Sequence, residues 1–370
     1  MIPVCEPLLG GKELEYINDC IKSNWISSKG KYIEQFENKF ANYCGCKYGI
    51  STTNGTTALH LALVSLDIGP DDEVIIPTFT MVATAFAVAY TRAKPVLVDA
   101  ECDTWNIDVN KIEEKITKKT KAILPVHIYG HPCDMDEILK IAKKYNLYVI
   151  EDAAEAHGAE YKGKKAGNIS DIGCFSFYAN KIITTGEGGM VVTNNPEIAD
   201  KARRLKDLAH SKEKRFLHTD IGYNYRMTNI QAAIGLAQYE RINELIEMRR
   251  ENAQLYNGIL KDLKGIVIPT ERRWAKNVYW MYSILINDDF GINRDEFMER
   301  LLKAGIETRA FFLPMHHQPV FKKMGLFKGE NYPIADYISA RGLYLPSSSQ
   351  LGKQEIEFIC NTIKIIAGKL

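Results

Sequence analysis

The chain reads as an α/β protein, with a large domain built on a mainly parallel central sheet and a smaller α+β domain after it. Three observations predict this. Short, nearly continuous apolar runs alternate with helical patterns as far as residue 193, the texture of strands covered on both faces by crossover helices. After residue 228 comes a long stretch almost free of Gly and Pro, and beyond it the strands and helices shorten. The 370 residues suffice for about two domains, each with its own core.

Taken in order, Phe36, Phe40 and Tyr43 recur at i, i+4 and i+7, the single stripe of a helix lying on a surface. Residues 58–66 (ALHLALVSL) are apolar nearly all round and predict a buried helix. Strands are predicted at 73–76, 95–99, 122–127, 148–152, 174–178 and 190–193, and an amphipathic helix at 135–145 with Ile138, Leu139 and Ile141 inward. One long helix, bent near Gly235, is predicted from 229 to about 260 as the link between domains. The large domain is drawn at 11–240 and the small one at 241–370, with residues 1–10 associated with the latter.

Composition excludes several classes. With 47 Lys+Arg against 46 Asp+Glu, the chain offers no general field for nucleic acid or an anionic membrane. Hydrophobic residues at 46% and charged residues at 25% exclude disorder, collagen and coiled coil. No window reaches the roughly 18 apolar residues of a membrane span, and residues 1–10 lack the pattern of a signal peptide. The eight cysteines are scattered except for Cys44 and Cys46, whose C-x-C spacing has no second pair to complete a zinc site. A reducing, cytoplasmic location and no metal site are therefore expected.

Three segments carry chemistry. Asn54-Gly55-Thr56-Thr57 precedes the buried helix, where unpaired N–H groups and hydroxyls suit a phosphate and also suit an ordinary N-cap. The strand at 148–152 ends in Glu151 and Asp152, at the sheet edge where α/β proteins hold ligands. The predicted strand at 174–178 runs on to Lys181 and a Gly-rich turn, 186–189. A lysine in apolar surroundings loses hydration, which lowers its pKa and frees the amine for Schiff-base chemistry. Each feature alone has a structural explanation. Together, a phosphate cradle, a strand-end acid and a neighbouring lysine are what pyridoxal 5'-phosphate (PLP) requires.

At these residues the sequence resembles the DegT/DnrJ/EryC1/StrS family of sugar aminotransferases, whose fold is the fold type I aminotransferase fold. The similarity spans essentially the whole chain. It is densest at 24–30 (NWISSKG), 54–61 (NGTTALHL), 127–135 (HIYGHPCDM), 180–192 (NKIITTGEGGMVV) and 222–238 (GYNYRMTNIQAAIGLAQ). Within the family it is most similar to the branch that makes perosamine from GDP-4-keto-6-deoxymannose.

The resemblance implies roles position by position. Lys181 would bind the cofactor covalently and then move the proton. Asp152 would pair with the pyridine nitrogen, Glu155 would lie near the phenolic oxygen, and Gly55, Thr56 and Ser176 would hold the phosphate. Asn224 would reach the phosphate in the other subunit of a homodimer with shared active sites. The family usually stacks an aromatic residue on the ring where this chain has Met81, with Phe79 nearby as an alternative. Trp25, Ser27, Ser28 and Lys29 match a loop approaching the sugar nucleotide, and His316, beside His317, a position facing it; Arg309 would bind an acidic group.

The implied reaction is transfer of an amino group from L-glutamate to a nucleotide-linked 4-keto-6-deoxy sugar, with pyridoxamine 5'-phosphate as the intermediate cofactor form. The resulting 4-amino-4,6-dideoxy sugar would feed O-antigen or other surface glycan. Lysine at 181, where a related dehydratase branch has histidine, favours transamination. The nucleotide could be GDP, dTDP or UDP, and the ketone C4 or C3. Two rival classes are weighed. A nucleotide-sugar oxidoreductase needs a G-x-G-x-x-G turn after the first strand, and none follows any predicted strand. A noncatalytic PLP-binding regulator would usually carry an added DNA-binding module.

Overall fold

Seven strands form the main sheet, in the spatial order Tyr48–Thr52, Gly189–Thr193, Ile172–Ser176, Tyr148–Asp152, Thr120–Ile123, Glu73–Pro77 and Lys94–Val98. The structure is a computed structural model and describes residues 1–214 and 216–368. Six strands run the same way; Gly189–Thr193 alone is reversed, antiparallel to both neighbours. The period-two alternation of strands decides which residue meets which face. Val74 and Ile76 join one core with the helices Lys31–Cys44, Gly55–Ser65 and Asn229–Tyr239, while Ile75, Ile123 and Val149 join another under helix Met135–Tyr145.

A second sheet is antiparallel, in the order Ile266–Val267, Tyr282–Ile286, Gly342–Leu345 and Arg309–Ala310. It packs on helices Arg294–Lys303 and Lys353–Ile366 around Phe297, Leu301, Ile356 and Ile359. The chain start runs beside it: Ile2 N–H donates to Gly305 O at 2.7 Å, and Glu307 N–H donates to Ile2 O at 2.9 Å. No helix among the described residues is long and apolar enough to cross a membrane.

The structure departs from the sequence reading at four places. Tyr48–Thr52 is a further strand, whose run YGIST holds too few apolar residues to register. The fourth parallel strand stops at Ile123 rather than 127, because Pro125 brings no N–H to the ladder. The strand predicted at 174–178 lies at 172–176, so Lys181 sits in the following turn, its N–H on Tyr178 O at 2.9 Å, and not at a strand end. The single long helix is two, Asn229–Tyr239 and Ile242–Leu260, broken at Glu240-Arg241 instead of bent at Gly235. Gly235 serves contact: a Cβ there would come within 2.7 Å of the Phe36 ring.

Phe40 anchors the helix side of the main sheet. Its ring is fully buried and meets Phe175 edge-on at 4.9 Å and Phe177 edge-on at 5.2 Å. Truncating such a side chain removes its apolar burial and leaves a cavity, together about 3–5 kcal/mol. Phe40→Ala is expected to lower the unfolding free energy by that amount, read as a drop in the urea midpoint at an unchanged denaturant slope; a loss below about 1 kcal/mol would show that the helix does not depend on this cluster.

Candidate active site

The ends of the parallel strands frame a cavity of about 440 Å³. Helix Gly55–Ser65 starts at its rim. Asn54 caps the helix, accepting from Thr57 N–H at 2.9 Å, while Asn54 N–H donates to Thr57 Oγ1 at 3.1 Å. The capping box leaves the N–H groups of Gly55 and Thr56 without intrahelical partners at the cavity wall. Gly55 must be glycine there, because a Cβ would sit 2.7 Å from that of Ser176, which closes the other side. A phosphate suits this corner, so the N-cap and anion readings of 54–57 are compatible.

Asp152 ends its strand on the cavity side and is 4% exposed. Its Oδ2 accepts from Thr84 Oγ1 at 2.9 Å and its Oδ1 from Ala154 N–H at 3.2 Å. Burial pushes its carboxyl pKa up, opposed by the Thr84 and Ala154 hydrogen bonds and the charge of Lys181. Glu151, one residue earlier, points to the opposite face of the sheet. There it accepts from His127 Nε2 at 3.0 Å and from the N–H groups of Gly167, Ile169 and Ser170. These donors hold its pKa below the usual range despite complete burial. Of the two strand-end acids, only Asp152 lines the cavity.

Lys181 brings its Nζ 3.5 Å from the centroid of the Trp280 ring, and the Nζ makes neither hydrogen bond nor ion pair with any described residue. Trp280 is 3% exposed and fixed by its Nε1–H, which donates to Asn180 O at 2.9 Å. Behind it Arg249 is buried with no carboxylate partner among the described residues, donating to Trp280 O, Ser349 Oγ and Cys5 Sγ. Burial lowers the Lys181 amine pKa, and the Glu155 and Asp152 carboxylates oppose the shift. The amine is thus biased toward its nucleophilic, neutral form.

Glu155 is buried and accepts from Tyr129 N–H at 2.7 Å. Tyr129 reaches this position with φ +52°, a left-handed conformation uncommon for a non-glycine residue, so the HIYG turn aims its backbone at the acid. Burial raises the Glu155 pKa to about 7, with Lys181 working in the other direction. A carboxyl whose folded pKa is raised contributes stability that is full below its unfolded pKa and lost as pH rises through the folded value. In cofactor-free protein, Glu155→Gln is therefore expected to match wild type near pH 4 and to exceed it by about 2–3 kcal/mol above pH 7. Parallel thermal melts across that range measure this; a constant difference would mean that Glu155 titrates normally.

The remaining predicted residues are placed as follows. Met81, 49% exposed, caps helix Val82–Tyr90 and lines the cavity. Phe79 turns away into the rings of Tyr129, Phe311 and Phe312. Arg309 lines the cavity, with Glu307 3.8 Å away. Trp25 and Lys29 line a separate groove beside Asn229, and Ser27 meets that residue through its backbone O at 2.7 Å. Asn224 is exposed and accepts from Arg226 Nε at 2.9 Å. His316 is buried between Thr78 and Asp336 and does not line the cavity. Trp280, Thr84, Phe312 and Tyr344 complete the site and carry no motif; each arrives from a segment remote from Lys181 or Asp152.

The donor set fits PLP: anion-binding N–H groups with Ser176, a buried acid, and an amine that makes no hydrogen bond or ion pair with any described residue line one cavity. Asn180 Oδ1, on the same wall, is buried with no hydrogen-bond partner among the described residues, an atom that a bound polar ligand would satisfy. Residues 7–364 match the DegT/DnrJ/EryC1/StrS aminotransferase family. The chain belongs to this family.

Among its DegT/DnrJ/EryC1/StrS relatives, GDP-perosamine synthase of Escherichia coli O157:H7 is 47% identical over 362 residues, 98% of this chain and 97% of that one. GDP-perosamine synthase of Caulobacter vibrioides is 46% identical over 96% and 95% of the two chains. The solved structure of S. venezuelae DesV, in complex with a ketimine intermediate, superposes with a TM-score of 0.91 at 32% identity, covering 97% of this chain and 95% of that one. The fold is accordingly that of the PLP aminotransferases, the protein is an aminotransferase, and its cofactor is PLP.

Proposed function

We propose that this chain transfers the amino group of L-glutamate to C4 of GDP-4-keto-6-deoxymannose, forming GDP-perosamine. Similarity above 40% to GDP-perosamine synthases along nearly the whole chain carries the choice of substrate. Bound PLP supplies an electrophilic carbonyl and an electron-withdrawing ring. Gly55, Thr56 and Ser176 would hold its phosphate, and Asp152, oriented by Thr84 and Ala154, would pair with the ring nitrogen and keep it protonated. Lys181 would attach the cofactor and, once released, its Nζ would move a proton between the amine-bearing carbon of donor or sugar and the carbonyl carbon of the cofactor. Glu155 would lie beside the phenolic oxygen. Met81 would contact the ring through its thioether, and Arg309 would pair with an anionic group of glutamate or sugar nucleotide. In a homodimer, Asn224 and the loop bearing Trp25, Ser27 and Lys29 complete the partner's cavity.

Residues 11–240 form the cofactor-bearing domain, and 241–370 with the N-terminal segment the smaller one. The enzyme works in the cytoplasm, and its product feeds surface glycan such as O-antigen. Incubating the PLP-loaded protein with L-glutamate and, separately, the GDP-, dTDP- and UDP-linked 4-keto-6-deoxy sugars tests the reading by mass spectrometry. The expected result is an aminated sugar with the GDP substrate alone. Amination of only a dTDP or UDP sugar would move the enzyme to a neighbouring pathway while keeping the site.

A further inference from the structure

Outside the cavity, two histidines and an aspartate converge. Met315–His317 forms a tight turn, and helix Pro333–Arg341 passes across it. His316 Nε2 lies 2.9 Å and His317 Nε2 2.7 Å from the same oxygen, Asp336 Oδ1. The two imidazole rings are 4.1 Å apart. Among the described residues this is the one set of three His, Cys, Asp or Glu groups whose ligand atoms all lie within 4.8 Å of one another.

We propose that His316, His317 and Asp336 bind a divalent transition-metal ion of the zinc class. Zinc holds nitrogen and oxygen ligands at about 2.0–2.2 Å, which places neighbouring ligands of a tetrahedral ion roughly 3.3–3.6 Å from one another. Asp336 Oδ1 stands somewhat closer than that to each imidazole nitrogen, and all three ligand atoms lie within 4.8 Å of one another, so a swing of the Asp336 carboxylate away from the two rings admits the ion between them. Two imidazoles with one carboxylate match the preference of this ion class for mixed nitrogen and oxygen ligands.

The surroundings are those of a prepared site. Thr78 Oγ1 is 2.8 Å from His316 Nδ1; with the ring proton placed on that nitrogen, Nε2 offers its lone pair to the ion. The turn is anchored by Met315 N–H on Thr78 O at 2.8 Å, and the helix by Ala335 N–H on Asp99 Oδ1 at 2.9 Å. Both ligand-bearing elements are thereby fixed to the same part of the main sheet. His316 is buried, while the side chains of His317 and Asp336 remain 42% and 37% exposed. An ion can enter from solvent and keep water in its remaining positions. Bound there, it would tie the 315–317 turn to the 333–341 helix behind the Thr78–Met81 segment, without touching the cavity.

The test uses the full chain with PLP bound, stripped of metal by a chelator and titrated with Co²⁺, then with Zn²⁺ in competition. The expected result is one equivalent per chain, giving visible d–d bands without a thiolate charge-transfer band, and displacement by Zn²⁺. His317→Gln and Asp336→Asn, both at partly exposed positions, should each weaken binding at least about tenfold. Zn²⁺ should raise the melting temperature of wild type and not of these variants. Absence of saturable binding at tens of micromolar would overturn the proposal. So would binding unchanged in both variants, or a thiolate band showing that the ion sits on cysteine. This readout does not depend on the amino-transfer reaction.

Discussion

Lys181→Ala is expected to reduce turnover by at least about 10³-fold, to the limit of detection, with the fold intact. The amine is at once the attachment point of the cofactor and the group that moves the proton. General acid–base catalysis alone contributes about 10²–10⁴-fold, and among the described residues no other lysine lines the cavity to replace it. The structural consequence is small, because Nζ makes no hydrogen bond or ion pair with any described residue; only the face of Trp280 is uncovered. Steady-state rates and thermal melts on the same preparation separate the two effects. Turnover at the wild-type rate would falsify the assignment of Lys181, whatever the substrate.

Asp152→Asn is expected to separate activity from stability in opposite directions. The amide keeps the size of the side chain, and its oxygen can still accept from Thr84 Oγ1. What it loses is the acceptor of the Ala154 N–H and the negative charge that would hold a proton on the ring nitrogen, and a preorganised electrostatic group of this kind is worth about 10²–10³-fold in rate. Burial raises the Asp152 carboxyl pKa in the folded protein, so a neutral group there removes an unfavourable desolvation and should leave the cofactor-free melting temperature equal or higher. A variant that is both fully active and less stable would reduce Asp152 to a structural acid.

What the sequence disclosed follows from the range over which its signals act. Strand and helix periodicity is local, and the helix 135–145 and the strand 148–152 appear at the bounds it predicts. Asp152 was legible because a strand end in an α/β sheet is a special place. Lys181 was legible by its apolar approach, although it belongs to the next turn. Trp280 left no trace, since its contact with Lys181 joins positions about a hundred residues apart and the isolated indole looks like any core aromatic. Thr84 and the Tyr129 N–H escaped for the same reason. Helix patterning also runs unbroken through 229–260, because Glu240 and Arg241 are good helix formers and the break there is tertiary.

The reversed strand has a mechanical meaning. Ser176 and Gly189 face each other across the ladder, and Gly189 also faces Thr52, so both ends of the excursion that carries Lys181 are clamped to the sheet. Phe177 N–H on Gly188 O at 2.8 Å and Thr185 N–H on Phe177 O at 2.9 Å draw the base of the excursion tight. Its backbone cannot slide without unzipping a buried strand. Travel of the reactive nitrogen is therefore left to the four-carbon stem of one side chain: a short crane arm on a fixed mast, whose reach changes only if the mast is rebuilt.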